Sequence, residues 1–170
     1  MMSLETKLPP HEVLAVAIRS EIEAADVYLK LQGRMKSALL KEKLKFLISE
    51  EKKHRKILER IYSQRYPDQK LKIPEKSFLS PLELTFDEKS SVLDLFNVAL
   101  EAEKLFEDFY NKAAEKAEDE NSQRILKYLS RVERSHFFMI QSEIDLLERF
   151  PEYYNVEEFH FGLDMVHIGP

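Results

Sequence analysis

The sequence predicts an all-α protein, an antiparallel four-helix bundle made from two copies of one helical hairpin. Three observations carry this. Leu, Glu, Lys and Ala dominate a chain of 170 residues with only 3 glycines, a composition that favours helix. Apolar residues recur at helical spacing through four long segments. Residues 21–54 and 103–136 also repeat one another at a constant offset of 82 positions, with no gap. Glu21, Tyr28, Glu51 and His54 correspond to Glu103, Tyr110, Glu133 and His136. Flanking positions agree as well: Ala17 with Ala99, Ile18 with Leu100, Phe46 with Tyr128 and Leu47 with Leu129.

The length fits a single domain over residues 1–170, large enough to bury a core. Hydrophobic residues at 44% and charged residues at 34% describe a globular chain rather than a disordered one. A net charge of −5 without a basic cluster argues against nucleic acid as a partner. The absence of cysteine excludes disulfides, thiol chemistry and Cys-ligated clusters within this chain. Met1 to Lys7 lacks the apolar core of a signal peptide, and no run reaches transmembrane length. The expectation is a cytoplasmic protein without stable membrane insertion.

Taken in order, Pro9 or Pro10 suits the first turn of a helix over about 10–33. Its stripe is Leu14, Ala17, Ile18, Ala24, Ala25, Tyr28 and Leu31, and Gly33 is the expected stop. Ser37 can cap a second helix, about 37–65, with Leu40, Leu44, Leu47, Leu58 and Ile61 inward and Pro67 beyond its end. Residues 66–89 carry Pro67, Pro74 and Pro81 and no sustained period, which reads as a crossover between opposite ends of the bundle. Its apolar residues, Leu71, Ile73, Phe78, Leu79, Leu82, Leu84 and Phe86, imply that it packs on the helices. Ser90 or Ser91 caps the third helix, about 90–118, with the stripe Val92, Phe96, Ala99, Phe106, Tyr110, Ala113 and Ala117. The acidic run Glu118 to Glu120 reads as an exposed turn. The fourth helix, about 122–149, turns Leu126, Leu129, Ile140, Ile144 and Leu147 inward, and Pro151 limits it. The apolar tail 150–170 is expected to pack on this bundle or on a second subunit.

The repeated polar residues fall inside these stripes. Glu21 lies three or four positions from Ala17, Ile18, Ala24 and Ala25, while Glu51 and His54 continue the series Leu40, Leu44, Leu47 and lead on to Leu58. Glu103 sits between Ala99 and Phe106, and Glu133 and His136 sit between Leu129 and Ile140. Glu21 and Glu51 are equidistant from the first turn, Glu103 and Glu133 from the second, so each pair meets at one level. A pseudo-twofold axis would then gather four carboxylates and two imidazoles in the core. An isolated buried carboxylate is expensive and four would repel one another. Two divalent cations cancel that charge, with Glu and His three apart reaching one centre. Carboxylate and imidazole without thiolate suit iron or manganese better than structural zinc.

This pattern resembles the ferritin-like di-iron carboxylate superfamily, in which one Glu from each of two helices joins Glu-x-x-His from each of the other two. Within it the chain is most similar to the rubrerythrin-like branch over roughly residues 10–149. The resemblance implies that Glu21, Glu51, His54, Glu103, Glu133 and His136 ligate two iron ions, manganese or a mixed pair being the alternative. Some carboxylates would bridge both metals, and Tyr28 and Tyr110 would hydrogen-bond to the ligands. The function implied is reduction of peroxide or O2. Two departures stand out. The rubredoxin-like iron centre of full rubrerythrins is absent along with cysteine, so electrons must come from an external donor such as a rubredoxin or a reductase. The additional carboxylate that rubrerythrins place one turn beyond the third-helix ligand is replaced by Phe106, which bears against redox-linked ligand exchange.

A single Glu-x-x-His in so Glu-rich a chain would ordinarily be a solvated helix face, and lone tyrosines would be core aromatics. The duplication, in phase with the stripes, makes the metal reading far more specific. Glu23, Glu50, Glu101, Glu107 and Glu143 are expected to be solvated, with Glu101 and Glu107 the nearest candidates to join the site. His11, His160 and His167 fall outside the repeat. Alternatives to a peroxidase are an iron-binding or ferroxidase protein, a di-iron hydroxylase of a small or lipid-like substrate, or a purely structural bundle. A homodimer is the expected assembly.

Overall fold

A computed structural model describes residues 8–77 and 90–152. It contains four helices: α1 (Pro10–Arg34), α2 (Ala38–Arg65), α3 (Val92–Lys116) and α4 (Glu120–Arg149). Each start has a local cause. Pro10 opens α1 behind Pro9. Ser37 caps α2 by accepting from the Leu40 amide. Ser91 and Asp94 form a reciprocal capping box at α3. The acidic run before α4 is more than a turn: Asp119 is the N-cap and accepts from the Ser122 amide, so α4 begins at Glu120 rather than near 122. Gly33 does not stop α1. The helix continues to Arg34, and the buried, extended Met35 ends it. Helix α3 likewise ends at Lys116, short of 118.

Helices α1 and α2 pack as one hairpin and α3 and α4 as the other; α1 faces α3 and α2 faces α4. Three contacts fix the directions. Arg34 Nη2, at the end of α1, donates to the Ser90 carbonyl just before α3 at 2.7 Å. Arg65, at the end of α2, lies 3.6 Å from Glu118 and 3.9 Å from Asp119, ahead of α4. Lys43 near the start of α2 pairs with Glu143 near the end of α4. Thus α1 runs antiparallel to α3, and α2 to α4. The hairpins are related by an approximate twofold axis perpendicular to the helices.

The chain must therefore travel the length of the bundle between α2 and α3, as a crossover requires. The described part, Tyr66 to Ser77, lies against α1: Ser77 Oγ meets Ser20 Oγ, and its amide donates to Glu23 Oε1 at 3.1 Å. Phe78, Leu79, Leu82, Leu84 and Phe86 of the crossover lie outside the described residues. So do most of the tail, from 153 onward, and His160 and His167.

The core contains most of the predicted stripes and is wider than they are, taking in Val16, Val27, Ile48, Tyr62 and Leu95 as well. The stripe residues of α1, α2 and α4 are all buried, as are Phe96, Ala99, Phe106 and Tyr110 of α3, while Val92, Ala113 and Ala117, the last just beyond the helix, are half-buried. Each fully buried Leu or Ile side chain contributes about 1.5–3 kcal/mol relative to an exposed one. Four glutamates expected in solvent are not fully there: Glu50 and Glu107 are half-buried, and two more are held by partners. Glu143 is buried in its pair with Lys43, and Glu23 is half-buried between Arg19 and the Ser77 amide. Glu101 is exposed as expected. Among the described residues, no helix is long and apolar enough to cross a membrane.

Candidate metal centre

The antiparallel packing brings the six repeated polar residues to one level. Glu21, Glu51, Glu103 and Glu133 have 0% exposure, and His54 and His136 have 2%. They form two overlapping groups, each able to hold a metal ion: Glu21, Glu51, His54 and Glu133, and Glu51, Glu103, Glu133 and His136.

The distances reveal the roles within each group. His54 Nδ1 lies 2.9 Å from Glu133 Oε1, 3.2 Å from Glu51 Oε2 and 3.5 Å from Glu21 Oε2. His136 Nδ1 lies 3.2 Å from Glu51 Oε1, 3.4 Å from Glu133 Oε2 and 3.5 Å from Glu103 Oε2. Glu51 and Glu133 therefore turn one oxygen to each imidazole. Glu21 and Glu103 each turn one oxygen inward to a single imidazole. Their other oxygens accept hydrogen bonds across the bundle: Tyr110 donates to Glu21 Oε1 and Tyr28 to Glu103 Oε1. Both contacts join one hairpin to the other and obey the twofold relation.

The inward atoms fit a metal pair. Both oxygens of Glu51 and of Glu133, Oε2 of Glu21 and Glu103, and both nitrogens of each imidazole are buried without an aligned hydrogen bond. So many orphaned polar atoms at one point are rare in folded proteins and require an explanation such as an ion. Two donors each about 2.1 Å from one cation and at right angles stand about 3 Å apart, the spacing found here. The imidazoles stack, with centroids 5.6 Å apart and planes 16° from parallel, and Phe46 meets His136 edge-on.

Burial and crowding shift the ionisation of these groups in opposite directions. Burial raises the Glu21 pKa well above the carboxylate range, aided by repulsion from Glu133 and Glu51. Burial and the Glu51 charge do the same to Glu103. Burial also opposes ionisation of Glu51, but the imidazoles of His136 and His54 outweigh it and hold Glu51 below the usual range. Burial opposes charge on His136; the neighbouring Glu103, Glu133 and Glu51 outweigh that and push it up to about 12. His54 is raised in the same way by Glu133, Glu21 and Glu51.

Sequence reasoning overlooked one neighbour. Glu50, expected in solvent, has a side chain only 15% exposed and forms a third group with His54 and His136. Its position four residues before His54 on the same helix face was the available signal. Neither Glu101 nor Glu107 joins the groups; Glu107 faces Arg134 at 3.9 Å. His11 lies outside them too, against Tyr66.

A family model described as Rubrerythrin matches residues 12–144. The sequence matches no curated protein. Among solved structures the chain is similar to a hypothetical protein from Pyrococcus furiosus, at 30% identity and a TM-score of 0.78, covering 86% of this chain and 95% of that one.

Proposed function

Because the chain belongs to the rubrerythrin family, we propose that it is a non-haem di-iron oxidoreductase that reduces peroxide, with O2 as the slower oxidant. The observation that carries this reading is the twofold-symmetric cage, in which Glu51 and Glu133 each present one oxygen to either imidazole. Glu51 and Glu133 would bridge the two irons, Glu21 and His54 would complete one site, and Glu103 and His136 the other. Manganese suits the same donors. Four carboxylates and two neutral imidazoles balance two divalent cations without residual charge.

When bound, the iron pair supplies two electrons together, the number that cleavage of a peroxide O–O bond to two waters consumes along with two protons. The chain's own residues do the rest. Tyr28 and Tyr110 hold Glu103 and Glu21 in place by their hydroxyls, fixing which oxygen faces inward. The leucines and aromatics around the six residues keep water out and strengthen every electrostatic contact inside. Electrons must arrive from an external donor, since this chain has no cysteine to build an iron–sulfur relay. We place the protein in the cytoplasm, as a homodimer.

One observation favours a second reading, iron binding with ferroxidase activity. Phe106, at 1% exposure, fills the position where rubrerythrins place their additional carboxylate. The two readings separate on oxidant preference. Protein loaded with ferrous iron without oxygen is mixed with peroxide or with O2, and the rise of ferric absorption is followed. Faster oxidation by peroxide supports the peroxidase. Faster oxidation by O2 replaces it with the ferroxidase.

A further inference from the structure

The six residues leave one demand of their own unmet. An imidazole that binds a cation through Nδ1 carries its proton on Nε2, and that N–H needs an acceptor. Both Nδ1 atoms face the buried carboxylates, and both Nε2 atoms are buried without a hydrogen-bond partner. Glu50 stands next to both rings: one of its oxygens and one nitrogen of each imidazole lie within 4.8 Å of one another. A small side-chain rotation or one bridging water spans that gap. Lys53 pairs with the same carboxylate at the rim of the core.

The stacking explains why a single carboxylate is enough. The rings lie 5.6 Å apart with planes 16° from parallel, close enough for one carboxylate to stand within 4.8 Å of a nitrogen of each. The duplicated hairpin accordingly supplies this group once: the position 82 residues after Glu50 is Val132. Glu50 thus has no acidic counterpart in the second hairpin, although the two imidazoles it stands beside, His54 and His136, both belong to the repeat.

We infer that Glu50 is a positioning residue for both imidazoles, accepting the Nε2–H groups of His54 and His136 and so fixing Nδ1 as the binding nitrogen of each. Its negative charge also makes both rings stronger donors and favours the oxidised metals. The inference rests on the six-residue metal reading above.

The test compares wild type with Glu50→Ala, Glu50→Gln and, as a control of charge alone, the exposed Glu42→Gln. Ferrous affinity is measured by anaerobic titration, the reduction potential of the loaded centre by redox titration, and metal-free folding by thermal melting. Glu50→Ala is expected to weaken metal binding by about 10- to 100-fold, the usual effect of removing such a partner. Its potential should rise, with metal-free melting unchanged. Glu50→Gln, which keeps an acceptor oxygen without the charge, should fall between, and Glu42→Gln should match wild type. If Glu50→Ala unfolds, Glu50→Gln still decides. Two metals bound by wild type, with unchanged affinity and potential in Glu50→Gln and Glu50→Ala, would overturn the inference alone. Failure of wild type to bind two metals would overturn the reading beneath it.

Discussion

The hydroxyl of Tyr28, on the first hairpin, donates to Oε1 of Glu103 on the second. The twofold relation repeats the contact with the hairpins exchanged, from Tyr110 to Glu21. Each tyrosine thus steadies a carboxylate it could not reach within its own hairpin, and couples assembly of the bundle to alignment of the site. Tyr28→Phe is expected to leave the fold intact and weaken metal affinity by about tenfold, the lower end for loss of an outer hydrogen bond to a ligand. Tyr110→Phe should do the same to a similar degree. Anaerobic metal titration of both variants checks the magnitude and the symmetry together.

The ligand set makes a stoichiometric prediction. Replacing Glu51 and Glu133 together by Ala removes both shared carboxylates and should abolish two-metal binding. His54→Ala should leave a site built on Glu103 and His136, and hence about one metal per chain. Elemental analysis of each purified variant reads the result; two metals retained in the double variant would mean that the ligands are other residues.

Proton release provides an independent check. In the metal-free protein Glu21, Glu103 and His136 all have raised pKa values. A raised folded pKa contributes stability that is complete below the unfolded value and lost as pH climbs through the folded one. The carboxyls lose theirs above about 4.5 and His136 between about 6.5 and 12. Metal-free protein should therefore melt at lower temperature at pH 9 than at pH 6. Metal must displace these protons, so binding should tighten with rising pH and acidify a weakly buffered solution. Calorimetry in buffers of different ionisation enthalpy measures the protons released.

The pair between Lys43 and Glu143 ties α2 to α4 at the end remote from the crossover's start. Glu143 is 5% exposed while Lys43 is 34% exposed, so water softens the loss. Lys43→Ala should destabilise the fold by about 1–3 kcal/mol, below the 3–5 typical of a fully buried pair broken on one side. Metal content should not change. Urea denaturation of the metal-free protein tests the first statement and elemental analysis the second.

The four helices and the six polar residues were legible because one signal encoded both: polar groups recurring inside apolar stripes, twice, in register. Periodicity reports which face of a helix is buried, and for Glu21, Glu51, His54, Glu103, Glu133 and His136 that was enough. It does not report what a neighbouring helix places opposite. Glu143 read as solvated because its partner Lys43 lies a hundred positions away. Glu50 read as solvated because spacing along α2 does not show that His136, on another helix, stands beside it. The division into Glu51 and Glu133, each facing two imidazoles, and Glu21 and Glu103, each facing one, needed the antiparallel pairing of the hairpins, and no spacing along the chain contains it.

The central claim is that the six buried residues hold two metal ions. Metal content per chain, by mass spectrometry on protein purified without oxygen and reloaded with iron, tests it most directly. Close to two irons per chain, lost together in the Glu51→Ala, Glu133→Ala variant, is the predicted result. A folded wild-type protein that binds no metal would contradict it, and would mean that protons alone hold these carboxylates in the core.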